Sequence, residues 1–285
     1  MTLLLAIVAG ALIGLSLGAL GGGGSILAVP VLVYLLGQDA GQATTGSLVV
    51  VGVTSLIGAV TAHRAGNVML GRGVTFGIVA IGGAAAGAKA SAHVADPVLL
   101  AAFAALMLLV GGLMAFRQLR HARQSQQPLR RDESQPDRSS PPRPTLDDPI
   151  IAFREGFMCD CPRAVKVLIT ATVIGLLTGF LGVGGGFLVV PALVVALALP
   201  MTYAAGTSLV VITLTSAAAL AVRAGVGTTP DWTLVATLTA ASAIGGFAGA
   251  RLADHIDNSR LSTAFTVLVL GVALYTATQA LPALI

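Results

Sequence analysis

Residues Gly14 to Pro30 reappear without a gap as Gly175 to Pro191. Gly18 falls on Gly179, Gly21 on Gly182, and Gly23 and Gly24 on Gly184 and Gly185. The same register lays Ser47-Leu48-Val49-Val50 on Ser208-Leu209-Val210-Val211. A two-residue slip lays Arg64-Ala65-Gly66 on Arg223-Ala224-Gly225. Further on, Gly87-Ala88-Lys89 and His93 pair with Gly249-Ala250-Arg251 and His255, and Phe103 with Phe265. One unit of four segments is therefore present twice, and any fold must place both copies around a shared core.

At the centre of each copy an apolar run is interrupted by glycines. The first break reads Leu20-Gly21-Gly22-Gly23-Gly24-Ser25 and the second Leu181-Gly182-Val183-Gly184-Gly185-Gly186, each with a proline five residues on, Pro30 and Pro191. Glycine costs a helix interior about 1 kcal/mol per position relative to alanine, so such a run is a poor helix. Irregular backbone at membrane depth is tolerated only where protein buries it or a wet cavity borders it. The breaks are thus expected to unwind and turn N–H groups toward a ligand. The alternative is that the glycines serve close helix crossing alone.

Membrane depth is the right setting. The 285 residues are 55% hydrophobic and 10% charged, against about 25% charged in a soluble domain. Mean hydropathy is +0.91, and apolar windows long enough to span a bilayer recur. The net charge of +4 is not a nucleic-acid signature, because the basic residues gather in the hydrophilic middle and at segment ends. The first apolar stretch lacks a basic leader and runs into the break, so it does not read as a cleaved signal peptide.

In chain order, Thr2–Leu20 reads as a helix, about 28 Å long and able to span the hydrocarbon core. Residues 26–37 reach only about half a bilayer, and Pro30 kinks them or opens their helical part. Further apolar segments are expected at 43–62, 74–92 and 98–116. Gly83–Gly87 and Gly245–Gly249 have the GxxxG spacing that lets two helices approach closely. Residues 1–116 and 163–285 form the two membrane repeats. Between them 117–162 holds seven of the thirteen prolines and many arginines, and reads as a disordered cytoplasmic linker. Cys159 and Cys161 lie too close for an easy disulfide, and one pair cannot complete a structural zinc site.

The fold class expected is an all-α polytopic membrane protein of two inverted repeats. Each repeat has a Gly-broken hairpin or helix pair plus three transmembrane helices. If the broken segments re-enter, each unit crosses an odd number of times and the second must be upside down. The Arg64/Arg72 and Arg251/Arg260 loops then share the linker side, with four basic residues against Lys89 and Arg223 opposite. If the short segments cross fully, the repeats are parallel.

Helix starts at glycine turns favour anions, through unpaired N–H groups and the positive dipole end. The candidate substrate site comprises Gly21, Gly22, Gly23, Gly24 and Ser25 from the first break and Gly182, Gly184, Gly185 and Gly186 from the second. Thr45, Ser47, Thr207 and Ser208 add neutral hydroxyls, which in membrane helices also back-bond to their own carbonyls. Arg64 and Arg223 are placed at the entrances, where snorkelling to the interface is the plainer role. No Asp or Glu sits deep in an apolar segment, which argues against carboxylate cation sites and proton relays. With no nucleophile–base set or metal cluster in view, no catalytic residue, metal or cofactor is expected. The partners expected are a small anion and the bilayer, with a second copy of the chain admissible and nucleic acid excluded.

The doubled Leu-Gly-x-Gly-Gly-Gly-x-x-x-x-Pro pattern, the Gly-Thr-Ser cluster one helix later and the basic linker resemble the TauE/SafE sulfite exporter family. The likeness covers both repeats and leaves out 117–162. The first break departs from the pattern at Gly22 and Ser25, where the second has Val183 and Gly186. The resemblance implies a multi-pass transporter of the bacterial inner membrane that moves sulfite, sulfonates such as sulfoacetate or related anions, by export. A carrier or channel for another organic anion, or a non-transporting membrane enzyme or assembly factor, are the alternatives.

Overall fold

A computed structural model describes residues 2–91, 93–124, 161–181, 186–196, 199–223, 230–253 and 258–280. The first repeat comprises α1 (Thr2–Leu20), a tight 3-10 turn (Gly21–Gly24), α2 (Ser25–Pro30), a wider π-type turn (Val31–Leu35), α3 (Ala40–Arg64), α4 (Leu70–Ser91) and α5 (Asp96–Gln124). The second comprises α6 (Cys161–Leu181), α7 (Gly186–Ala196), α8 (Met201–Arg223), α9 (Trp232–Ala253) and α10 (Asn258–Ala280). Helix is the only regular structure among the described residues. Five helical stretches are long and apolar enough to cross a membrane. The chain is accordingly an all-helical, multi-pass membrane protein. Of the sequence-predicted linker, residues 125–160 lie outside the described residues.

The outward faces suit lipid rather than water. On α1, Leu4, Ile7, Val8 and Leu12 are exposed, while Ala6, Ala9, Ile13 and Leu17 are buried. α1 ends at Gly21, whose φ of +68° is the left-handed geometry that only glycine adopts freely at a helix end. The chain then folds back on itself. A Cβ on Gly24 would lie 2.3 Å from both the Ile13 carbonyl oxygen and the Leu17 nitrogen.

Pro30 closes α2, and the turn behind it is wide. Proline lacks an N–H and its ring crowds the carbonyl four residues back, so regular winding is interrupted here, and the bonds of the turn that follows span five and six residues. The Leu36 N–H donates to the Val31 carbonyl at 3.0 Å and the Gln38 N–H to the Leu32 carbonyl at 2.9 Å. In the second repeat the Leu199 N–H donates to the Leu193 carbonyl at 3.4 Å, the same bond at the same register. The duplication thus extends to backbone irregularities.

The repeats interlock. α1 lies along α9, and α4 along α6, so each glycine-rich helix packs on the broken helix of the other repeat. At Gly14 a Cβ would sit 2.0 Å from the Ser242 carbonyl oxygen, and at Gly179 one would sit 1.9 Å from that of Ala84. The GxxxG residues meet backbone likewise: Gly83 and Gly87 face α6, and Gly245 and Gly249 face α1. Without a hydrophobic drive inside lipid, such close approach is what holds helices together. The Ser242 hydroxyl adds a hydrogen bond to the Gly10 carbonyl at 2.9 Å. Phe103 and Phe265, paired by the duplication, are both buried in the largest apolar cluster.

Neighbouring residues also fix helix directions. Gly46 lies by Val235 and Gly246 by Thr54, so α3 and α9 run together. Gly73 lies by Thr207 and Gly77 by Leu214, so α4 and α8 run together. Gly52 lies by Ser216 and Gly58 by Leu209, so α3 and α8, equivalent by duplication, run in opposite directions. Arg64, Arg251 and the start of α4 therefore share one end, with Lys89, Ser91 and Arg223 at the other.

Candidate functional site: where the breaks meet

Gly21–Gly24 are all buried. They are wound as a 3-10 turn rather than unwound. The Ser25 N–H donates to the Gly22 and Gly23 carbonyls, and the Ser25 hydroxyl donates to the Gly22 carbonyl at 2.7 Å. A buried backbone that no water reaches satisfies its polar groups locally, and four glycines tolerate that tight winding without side-chain clashes. Gly182, Gly184 and Gly185 lie outside the described residues. Gly186, the last residue of the second break, is described and buried.

Gly22 meets Gly186 at the centre of the molecule. A Cβ on Gly22 would fall 1.8 Å from the Gly186 carbonyl oxygen, and one on Gly186 would fall 2.7 Å from both the Gly22 carbonyl oxygen and Ser25 Oγ. Gly21 is equally close to α8, where its Cβ would lie 2.6 Å from the Ala205 Cα. The two interruptions, far apart in sequence, are in backbone contact.

The predicted hydroxyls sit about two turns into α3 and α8 and are buried. Their protons are already placed. Thr45 donates to the Gly41 carbonyl at 3.1 Å, Ser47 to Thr44 at 2.8 Å and Ser208 to Ala205 at 2.7 Å. Thr207 plays a different part: its oxygen accepts the Met69 N–H at 3.1 Å and so ties the start of α4 to α8. The two arginines that match in sequence part company in space. Arg64 is exposed, whereas Arg223 is 8% exposed and donates to the Ser91 hydroxyl.

Beside the first break a cleft of about 80 Å³ opens, several times the roughly 10–15 Å³ that admits one water. Gly18 and Gly21, Gly58 and Thr61 of α3, Ala205 of α8 and Arg251 of α9 line it. Arg251 is stacked 4.4 Å from the centre of the Phe247 ring, which presents its cation at the mouth.

Sequence reasoning passed over the Thr54-Ser55 pair, which recurs as Thr215-Ser216 at the register of the duplication. These residues are buried at the crossing of α3 and α8, and the Thr54, Ser55 and Ser216 hydroxyls have no hydrogen-bond partner among the described residues. The signal lay in the repeat, but Thr and Ser inside an apolar run read as ordinary back-bonding residues.

The fold and centre define a class: a multi-pass helical protein built from two interlocked repeats, with an interrupted helix from each at its middle. Residues 6–276 match the family Sulfite exporter TauE/SafE, and the chain belongs to that family. It is 31% identical over 279 residues to a "Probable membrane transporter protein" of Xylella fastidiosa strain 9a5c, covering 96% of this chain and 94% of that one. Identity to the protein of that description from strain Temecula1 / ATCC 700964 is 32% over 286 residues, with the same coverage. No solved structure matches the chain.

Proposed function

We propose that this protein is a secondary transporter that moves small anions, sulfite or sulfonates such as sulfoacetate, outward across the bacterial cytoplasmic membrane. The observation that carries the reading is the contact of Gly22 with Gly186, which brings two interrupted helices together with no side chain between them. Transporters of inverted repeats bind substrate at such a junction, where backbone groups of broken helices are within reach. Family membership supports an oxidised sulfur anion as cargo, and the relatives' description as membrane transporters supports movement rather than chemistry. Inversion of the repeats is supported by the opposite directions of α3 and α8 and by the gathering of Arg64, Arg72 and Arg251 at one end. Access alternates as one repeat rocks against the other around the paired breaks.

A thermal-shift series on detergent-purified protein tests the substrate class, since a ligand that binds the native state raises its melting temperature by mass action. Sulfite, thiosulfate or sulfoacetate are expected to raise it, and neutral analogues are not. A response confined to neutral molecules removes the anion reading.

The hydroxyls make a smaller, separate prediction. To serve the anion, Ser47 or Ser208 must exchange a carbonyl bond worth about 1 kcal/mol for a bond to a charge worth about 1.5–3 kcal/mol. Ser47→Ala and Ser208→Ala should therefore each weaken binding by about 1 kcal/mol, roughly fivefold. Titration of the purified variants checks this, and wild-type affinity in both leaves the hydroxyls as helix-internal groups.

A further inference from the structure

We infer that Arg223 is a second anion station, and that its hold on Ser91 bolts the far end of the pathway until the anion takes its place. The inference rests on the transport reading above.

The buried guanidinium has one hydrogen-bond partner among the described residues, the Ser91 hydroxyl of α4, and its Nε is buried without any. Ser91 in turn donates its own proton to the Ala88 carbonyl at 2.9 Å, so its oxygen faces Arg223 as an acceptor only. One neutral oxygen serves one of five guanidinium N–H groups and none of the charge. Residues 41–95 and 163–230 contain neither Asp nor Glu, so α4 and α8 themselves bring no carboxylate to it. Burying an unpaired cation is costly, and a chain that retains one has left a place for a negative charge. The planar fork fits two oxygens of an oxyanion side by side, which a serine hydroxyl cannot match.

The surroundings make this a gate as well as a site. Gly58 and Thr61 line the open cleft at the opposite end; the duplication carries them onto Ala219 and Val222. Those two pack with Leu48 and Ala88 into an apolar plug beside Arg223. One end of the molecule is thus open where its counterpart is shut. The bolt is not duplicated either: the residue in the place of Ser91 is Ala253, and Arg64 in the place of Arg223 is exposed. An anion arriving from the centre would pair with Arg223, release Ser91 and free α8 from α4.

The test uses Val222→Cys in a full chain with Cys159 and Cys161 replaced by serine. Maleimide labelling of the purified protein reports the plug, and labelled sulfite flux in proteoliposomes reports transport. Sulfite is expected to speed labelling about tenfold by shifting the population toward the open end. Ser91→Ala should speed it without sulfite. Arg223→Gln should abolish the sulfite response and cut flux about tenfold or more, while Arg223→Lys keeps part of both. Wild-type flux and an unchanged labelling response in Arg223→Gln would overturn the station. Should that variant not fold, slow labelling in Ser91→Ala overturns the bolt on its own. Absence of flux with the unsubstituted protein would instead remove the transport reading, and the station with it.

Discussion

Gly22→Leu is expected to abolish anion flux while the protein still inserts, and Gly22→Ala to reduce it severely. Even one added methyl group would stand 1.8 Å from the Gly186 carbonyl oxygen and 2.1 Å from its carbon, well inside contact distance. Both obstacles are backbone, which cannot swing aside as a side chain does. The breaks must separate, and overpacking of this kind costs about 1–3 kcal/mol or more. Gly23 provides the comparison. Its added Cβ would find as nearest atoms the Leu20 Cβ and an edge of the Phe265 ring, both at 3.0 Å; the ring can yield, and the Leu20 Cβ needs a shift of only a few tenths of an ångström. Gly23→Ala should accordingly retain more flux than Gly22→Ala, although Gly23→Leu, too large for that gap, should not. Labelled sulfite uptake into proteoliposomes with equal amounts of reconstituted protein decides the matter. Wild-type rates for Gly22→Leu would mean that the junction is not on the anion's route.

That junction was only half legible in the sequence. The duplication located both breaks, and the GxxxG pairs at Gly83 and Gly245 announced close helix contacts. What a linear pattern cannot convey is the partner. Gly10, Gly14 and Gly18 look like scattered small residues in α1 until α9 of the other repeat is laid along them. Hydropathy also placed the end of α5 at residue 116, where the apolar run stops, whereas the helix continues to Gln124. Arg, Gln and Leu are good helix formers, so loss of apolar character is not loss of helix.

The arginines show a second limit. Arg64-Ala65-Gly66 and Arg223-Ala224-Gly225 are the same words, and symmetry alone predicts one role for both. Their difference is decided on another helix, by a serine at 91 where the other repeat has Ala253. The hydroxyls show a further limit. Ser47 and Ser208 stood out because they recur, and their hydroxyls donate within their own helices, while those of Thr54, Ser55 and Ser216 have no partner among the described residues. Ser and Thr look alike in sequence whichever way they turn, because the i−3 and i−4 carbonyls are always within reach.

The orientation of the repeats carries the other large expectation: a cysteine at 229 should react with an impermeant maleimide on intact cells, and one at 71 should not. Gly71 is well suited, since a side chain there meets nothing within 4 Å. It lies in the first turn of α4, beside Arg72 and at the end that holds Arg64 and Arg251. Thr229 lies outside the described residues; in sequence it falls between Arg223, which ends α8, and Trp232, which starts α9. Because α3 and α8 run in opposite directions, the end of α8 and the end of α3, from which the chain enters α4, fall at opposite ends of the molecule. The arginine-rich stretch after α5 assigns the ends, since basic segments stay on the cytoplasmic side. The measurement requires Cys159 and Cys161 to be replaced by serine first, so that each introduced thiol is alone. Labelling at 229 with protection at 71, lifted on lysis, supports inversion. Protection at both positions until lysis would put both connections in the cytoplasm. The repeats would then be parallel, and two broken helices entering from one side would have no reason to share a central anion site.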